Sequence, residues 1–230
     1  MRQLCIWVIS VLLFPVVSFA TLRLDYYYDQ SGMFTKFSDW IPKRLHQWNP
    51  VFVEDFFLLY SLKQLYGEQE LLLNIYFMKA ALTKKFRHPR YALAKIETKE
   101  EYHKYRLLIF MHLNLQIMRS YLNIGSKFDK RHLYFYNLDF ADDLKESFSV
   151  AENYYKLALP YWNKAKEYAV EAGRYKFEID LAALESIRYE ISTGEIDYDK
   201  YIANHLNKVR QKQKTVADFI ASKNNGQNAP

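Results

Sequence analysis

Leu107-Leu108-Ile109-Phe110-Met111-His112-Leu113-Asn114-Leu115-Gln116-Ile117-Met118 is the most apolar stretch of the chain beyond its first residues. It belongs to a segment, Lys99 to Ile124, that holds neither Gly nor Pro. A helix with so little polar face belongs in the middle of a bundle or array. It is not a membrane span, because His112, Asn114 and Gln116 interrupt the run and Lys104 and Arg106 charge its start. Thr98 with Glu100 and Glu101 in the first turn marks where the helix begins, and Gly125 is expected to close it.

Outward from this segment the helical pattern continues in both directions. Upstream, Asn49-Pro50 reads as an N-cap and first-turn proline for a helix from Phe52 to Tyr66, with Glu54 and Asp55 at its start and Gly67 as a left-handed C-cap. A second helix follows from Glu68 to about Phe86. Lys84, Lys85 and Arg87 at its end complement the helix dipole, an anion site being the alternative reading. A short helix is expected from Met33 to about Trp40. Downstream, Leu138 to Leu159 is helical, Pro160 is expected to break or kink it, and Tyr161 to Ala172 resumes. Tyr175 to Ser192 ends at Thr193-Gly194, and the last helix runs from about Asp197 to Ala221. The expectation is an all-α fold of about eight helices in stacked antiparallel pairs, either an α-solenoid or an irregular bundle. Six Gly and six Pro in 230 residues, against 20 Tyr and 16 Phe, agree with long helices and an aromatic interior.

The first twenty residues have a different character. Met1-Arg2-Gln3 is a charged start, Leu4 to Val17 is apolar, and Ser18-Phe19-Ala20 offers small residues for a signal peptidase. This is the pattern of a secretory signal peptide over 1–20, and the apolar core is shorter than a spanning helix needs. The alternative is an uncleaved tether to the inner membrane. The single cysteine, Cys5, lies inside this segment, so the exported part would carry no disulfide, no thiolate metal site and no cysteine nucleophile. Lack of disulfides favours a bacterial periplasm. The domain plan is then 1–20 signal, 21–48 arm and short helix, 49–222 helical repeat-like domain and 223–230 disordered tail. The whole chain carries +6, mixed in sign along its length, which argues against nucleic acid and leaves a peripheral contact with anionic lipid open.

Ala151, Tyr155 and Ala158 form Ala-x3-Tyr-x2-Ala, and Ala165, Ala169 and Ala172 echo the spacing. The pattern resembles the second helix of a degenerate tetratricopeptide (TPR-like) repeat, in which small residues let neighbouring helices approach. Such resemblance implies a protein-binding scaffold of the bacterial periplasm; a weaker similarity points to the collar proteins of spirochaete periplasmic flagella. In a scaffold of this kind the partner would lie in an open groove lined by Tyr, Asn and Lys or Arg. Trp40, Trp48, Tyr134, Phe135 and Tyr136, in two presumed loops, are further candidate partner-binding residues, although such clusters more often seal a helical core.

Residue patterns that carry chemistry are missing from the sequence: no Gly-x-Ser-x-Gly, no His-Glu-x-x-His and no glycine-rich phosphate loop. Glu100-x-x-His103 and Asp129-x-x-His132 have the spacing of di-iron ligands, but no inward Glu residues complete a set. Glu54, Glu68 and Glu70 could be nominated as acids, yet each stands where a helix start favours it. The sequence is therefore read as non-catalytic, without cofactor or metal. It is expected to be an exported scaffold or adaptor that binds another protein in the cell envelope, in assembly of a complex such as flagellar machinery. The alternative is a carrier of a small apolar ligand or lipid, which requires a continuous apolar cavity.

Overall fold

The computed structural model describes residues 50–130 and 140–227, with side chains up to residue 222. The expected signal, arm and short helix lie outside the described residues, as do residues 228–230 of the expected tail. Residues 223–227 are not a disordered tail but continue the last helix beyond its expected end near Ala221. Among the described residues there are six α-helices: α1 Val53–Phe56, α2 Glu68–Ala81, α3 Lys99–Phe128, α4 Ala141–Ala172, α5 Ala182–Thr193 and α6 Tyr198–Gln227. Among the described residues there is no strand, only an isolated parallel bridge between Phe52 and Lys85. The fold is all-α.

The apolar stretch is the centre of the molecule. Along α3, Leu108, Ile109, Met111, Leu113, Leu115, Ile117, Met118 and Ile124 are fully buried. The helix starts where the sequence says it should: the Thr98 hydroxyl accepts from the Glu101 N–H at 3.1 Å, and the Glu101 carboxylate accepts from the Thr98 N–H at 3.1 Å. It does not stop at Gly125. It continues to Phe128, and Gly125 is a buried notch whose missing side chain makes room for Tyr155; a Cβ there would stand 2.7 Å from the Tyr155 ring. Glycine serves close approach at this position, not a left-handed cap.

The second correction concerns Pro160. Residues 141–172 form one helix with Pro160 inside it, not two helices. The buried positions of α4 explain why: Phe148, Ala151, Tyr155, Ala158, Trp162, Ala165, Ala169 and Ala172 alternate steps of three and four. This is a heptad seam, and it keeps facing α3 and α6 only if the helix is unbroken. Pro160 falls on the exposed side, where water can satisfy the carbonyl that loses its partner. The long helices pack antiparallel. His103 near the start of α3 reaches Glu171 near the end of α4, whereas Ser147 near the start of α4 donates to the Phe128 carbonyl. Lys166 and Asp199, then Glu152 and Arg210, set α6 antiparallel to α4 in the same way.

The front of the domain departs further from expectation. The helix forecast over Phe52–Tyr66 is one α-turn followed by a π-turn over Phe57–Ser61, and residues 62–67 are irregular. Gly67 has φ −66° and precedes α2, so it is not a left-handed cap. α2 ends at Ala81 rather than near Phe86, and residues 174–181 precede α5 in non-helical form. Among the described residues the left-handed cap is Gly194, with φ 79°.

Polar anchors explain these departures. Glu54 and Asp55 are completely buried. Glu54 accepts from the Arg87 N–H and from the Tyr105 hydroxyl at 3.1 Å each. Asp55 pairs with the Arg87 guanidinium and accepts from the Val51 and Phe52 N–H groups at 3.1 and 3.0 Å. Arg87 is therefore not a helix-end cation; it clamps the chain after α2 onto the start of α1. A second buried pair joins Lys104 of α3 to Glu185 of α5 at 2.5 Å, with Arg188 at 2.7 Å from the other Glu185 oxygen. Burial raises the Glu185 carboxyl, but the two cations and the Ile179 N–H outweigh it and hold it below the usual range.

Candidate functional site

α3 is buried over most of its length, and a polar row runs along one side of it. His112, which is buried, and the half-buried Gln116, Arg119 and Asn123 follow one another at steps of four, three and four, which places them on one face. This polar row borders three contiguous clefts that share Arg119. At one end, Ser61 at the end of the π-turn and Leu62, Lys63 and Gln64 of the irregular segment face His112 and Gln116 across about 460 Å³. In the middle, a recess of about 150 Å³ reaches down to Asn74 of α2. At the other end, Asn123 and Ser126 of α3 face Asp197, Tyr198 and Tyr201 across about 600 Å³. From His112 to Ser126 the groove runs about 21 Å along α3, at 1.5 Å of rise per residue.

Arg119 is held in place from one side. Its Nε donates to the Tyr198 hydroxyl at 3.0 Å, and the guanidinium lies 5.7 Å from the Tyr198 ring centre. Its two terminal nitrogens have no protein partner among the described residues. Asn123 donates to the Leu65 carbonyl at 3.2 Å and so fixes the irregular wall. Asp197, the acidic residue lining the groove, is occupied: it accepts from the Asp199 N–H at 3.0 Å and pairs with Lys200 at 3.2 Å. Those contacts, first the backbone N–H of Lys200 and then its ammonium, hold the Asp197 carboxyl below its usual range.

Two buried polar side chains border this surface. His112 is 5% exposed; its Nε2 lies 3.3 Å from the Ser61 carbonyl and 3.4 Å from the Gln116 side-chain nitrogen, and its Nδ1 has no hydrogen-bond partner. Burial lowers the His112 pKa to about 4. Asn74 is 3% exposed and its Oδ1 has no hydrogen-bond partner. Leaving a buried polar atom unpaired costs about 1–3 kcal/mol.

The residues picked out by sequence fall elsewhere. Ala151, Tyr155, Ala158, Ala165, Ala169 and Ala172 are all fully buried in the α4 seam. Trp40, Trp48, Tyr134, Phe135 and Tyr136 lie outside the described residues, as does His132. His103 meets Glu171 of α4 at 3.3 Å, with both side chains about half exposed. Asp129 accepts from the Tyr155 hydroxyl at 3.2 Å and pairs with Lys212 at 2.5 Å. Among the described residues, no group of three or more His, Cys, Asp or Glu is arranged to hold a metal ion. Nor, among them, is any helix long and apolar enough to cross a membrane. Sequence reasoning missed Arg119, Asn74, Tyr198 and Tyr201. The available signal was a polar row at helical spacing inside an otherwise apolar helix, read only as evidence against a membrane span.

The fold and surface define an all-α bundle with an open polar groove along its central helix. The chain belongs to a family described as a domain of unknown function (DUF8513), whose model matches residues 100–219. The matched span takes in most of α3 to α6 and leaves out the segment before them, which supplies the Ser61–Gln64 wall and, from α2, Asn74. No curated protein and no solved structure matches the chain.

Proposed function

We propose that this protein is an exported, non-catalytic helical scaffold that binds another protein of the cell envelope along the α3 groove. The observation that carries the reading is the groove itself: it is open, lined by Arg, Asn, Gln and Tyr, and continuous along α3. These are the residue types that grip a peptide in a helical scaffold. The clefts are open and lined by polar and apolar atoms alike, which suits a peptide better than a small apolar ligand or lipid. The packing resembles stacked antiparallel pairs, with α4 shared between α3 and α6. A tetratricopeptide unit places two helices within about 34 residues, whereas α3 and α4 have 30 and 32 residues each. An irregular bundle is therefore the better form of the scaffold reading. Periplasmic location, and service in a complex such as flagellar machinery, belong to the same proposal and rest on the leader-like start and on the resemblance.

The test is photo-crosslinking in cells that make the protein. A photoreactive residue at Gln116, Asn123 or Tyr201 is expected to capture one protein partner in stoichiometric yield, and one at Lys164, exposed on α4 and outside the groove, is not. Equal capture from both sets, or capture from neither, refutes groove docking.

A further inference from the structure

We infer that the connection between α2 and α3 builds a docking face for an anionic lipid surface, apart from the groove and independent of groove docking. Charge is concentrated there. Residues 71–106 hold nine Lys or Arg and three Glu, whereas the rest of the chain holds 23 of each sign, so this stretch carries the whole +6 excess. Arg87 and Lys104 are taken up by Asp55 and Glu185 inside the domain, and Lys95 pairs with Glu97. Lys84, Lys85, Arg90, Lys99 and Arg106 are exposed, and none of them pairs with a carboxylate among the described residues.

Apolar side chains stand among these cations. Tyr91, next to Arg90, is 70% exposed, and Val51 and Phe52 are 56% and 37% exposed. Phe52 is joined to Lys85 by the parallel bridge. The face is also held in shape, although its own regular structure is only the 3-10 turn Pro89–Tyr91. The Val53 N–H donates to the Lys85 carbonyl at 3.1 Å, the Tyr102 hydroxyl to the Arg87 carbonyl at 2.7 Å, and the Leu93 N–H to the Tyr105 hydroxyl at 3.2 Å. The Arg106 guanidinium lies 5.3 Å from the Phe86 ring centre and 5.9 Å from that of Tyr102, so α3 adds its cation to the same face. A face already ordered loses little freedom on docking. An acidic peptide would need only the cations. A lipid surface uses both parts: its anionic headgroups meet the cations, and the boundary between headgroups and acyl chains takes exposed Tyr, Phe and Val. Among the described residues no helix can cross a membrane, so the contact is peripheral. Arg106 and Arg119 lie about 20 Å apart along α3, which leaves the groove open on a docked molecule.

The experiment measures cosedimentation with vesicles of phosphatidylcholine alone and of an equal mixture with phosphatidylglycerol, using the protein in the form that accumulates in cells that make it. The mixture is expected to bind at least about tenfold more tightly at low salt, an advantage that shrinks as salt rises. Lys84→Glu with Arg90→Glu is expected to weaken binding to the mixture at least about tenfold. Lys208→Glu with Lys214→Glu changes the net charge equally at exposed positions of α6 and is expected to weaken it less than about threefold. Tyr91→Ala removes an apolar contact that salt does not screen, and is expected to weaken binding at low and high salt alike. All these side chains are exposed, and thermal melts check that the variants fold. Polyglutamate, at the same concentration of negative charge, is expected not to displace the vesicles. Equal binding to both kinds of vesicle, or to neither, overturns the proposal. Equal losses from the two double variants show attraction by net charge and overturn the assignment to this face. Full displacement by polyglutamate, with Tyr91→Ala silent, shows an acidic chain as the occupant and overturns the lipid reading. Groove docking stands or falls separately, on the crosslinks.

Discussion

Acidification removes stability through one buried ring. His112 sits edge-on to Phe57 with ring centres 5.4 Å apart, and its Nε2 faces the Ser61 carbonyl. Burial holds its pKa at about 4, against an ordinary value of 6.5. The unfolded chain therefore binds this proton at a higher pH than the folded chain does. The stability contributed by the neutral ring is complete above about pH 6.5 and is lost as pH falls through the window down to about 4. Over the whole window the loss is about 3 kcal/mol, at 1.36 kcal/mol per pH unit of separation. Between about pH 7.5 and pH 5.0 it amounts to about 2 kcal/mol by the same linkage. His112→Phe removes the titration and keeps an aromatic ring against Phe57. Urea unfolding followed by circular dichroism, at both pH values and on both proteins, isolates the term, since every other titrating group is common to the pair. The wild type is expected to lose about 2 kcal/mol more than the variant on going to the lower pH. Equal losses would show that His112 is not held neutral by burial, and the reasoning would fail.

Three further outcomes are expected. Gly125→Ala gains about 1 kcal/mol of helix propensity but drives a methyl into the Tyr155 ring, so a net loss of about 1–2 kcal/mol is expected in urea melts; pairing it with Tyr155→Leu, which opens space, should make the two effects less than additive. Pro160→Ala restores a hydrogen bond on the exposed side of α4 without touching the seam, and is expected to raise stability by about 1–3 kcal/mol, read as a higher Tm; a lower Tm would mean that the seam needs the bend. Lys104→Met strips Glu185 of a buried partner and is expected to cost about 3 kcal/mol or more, and adding Glu185→Leu should recover part of that loss. In the wild type the depressed Glu185 pKa makes this pair's contribution complete above the ordinary carboxylate range and lost as pH falls below it, a dependence that the double variant should lack.

Local rules were enough for much of the fold. The Thr98–Glu101 box, the Gly194 cap, the end of α4 at Gly173 and the burial of the Leu107–Met118 run each depend on a few consecutive residues and the helical period, and all could be read from the chain alone. The α4 seam was half legible. Its alanines stood out, but Pro160 was weighed by what it does to its own turn, when the eight-position seam through it had more to lose from a break.

What only the tertiary structure decided lies where distant segments meet. Gly125 looked like a terminus because glycine at a helix end is the commoner use, and Tyr155, thirty residues away, makes it a notch instead. Glu54, Asp55 and Arg87 looked like dipole complements because each stood near a helix end in sequence; the return of the chain after α2 buries them as one clamp. The groove is the strongest case. His112, Gln116, Arg119 and Asn123 were visible as polar residues in an apolar helix, but a polar row becomes a site only when walls rise on both sides. Those walls come from residues 61–65 and 197–201, and nothing local in the sequence couples segments so far apart.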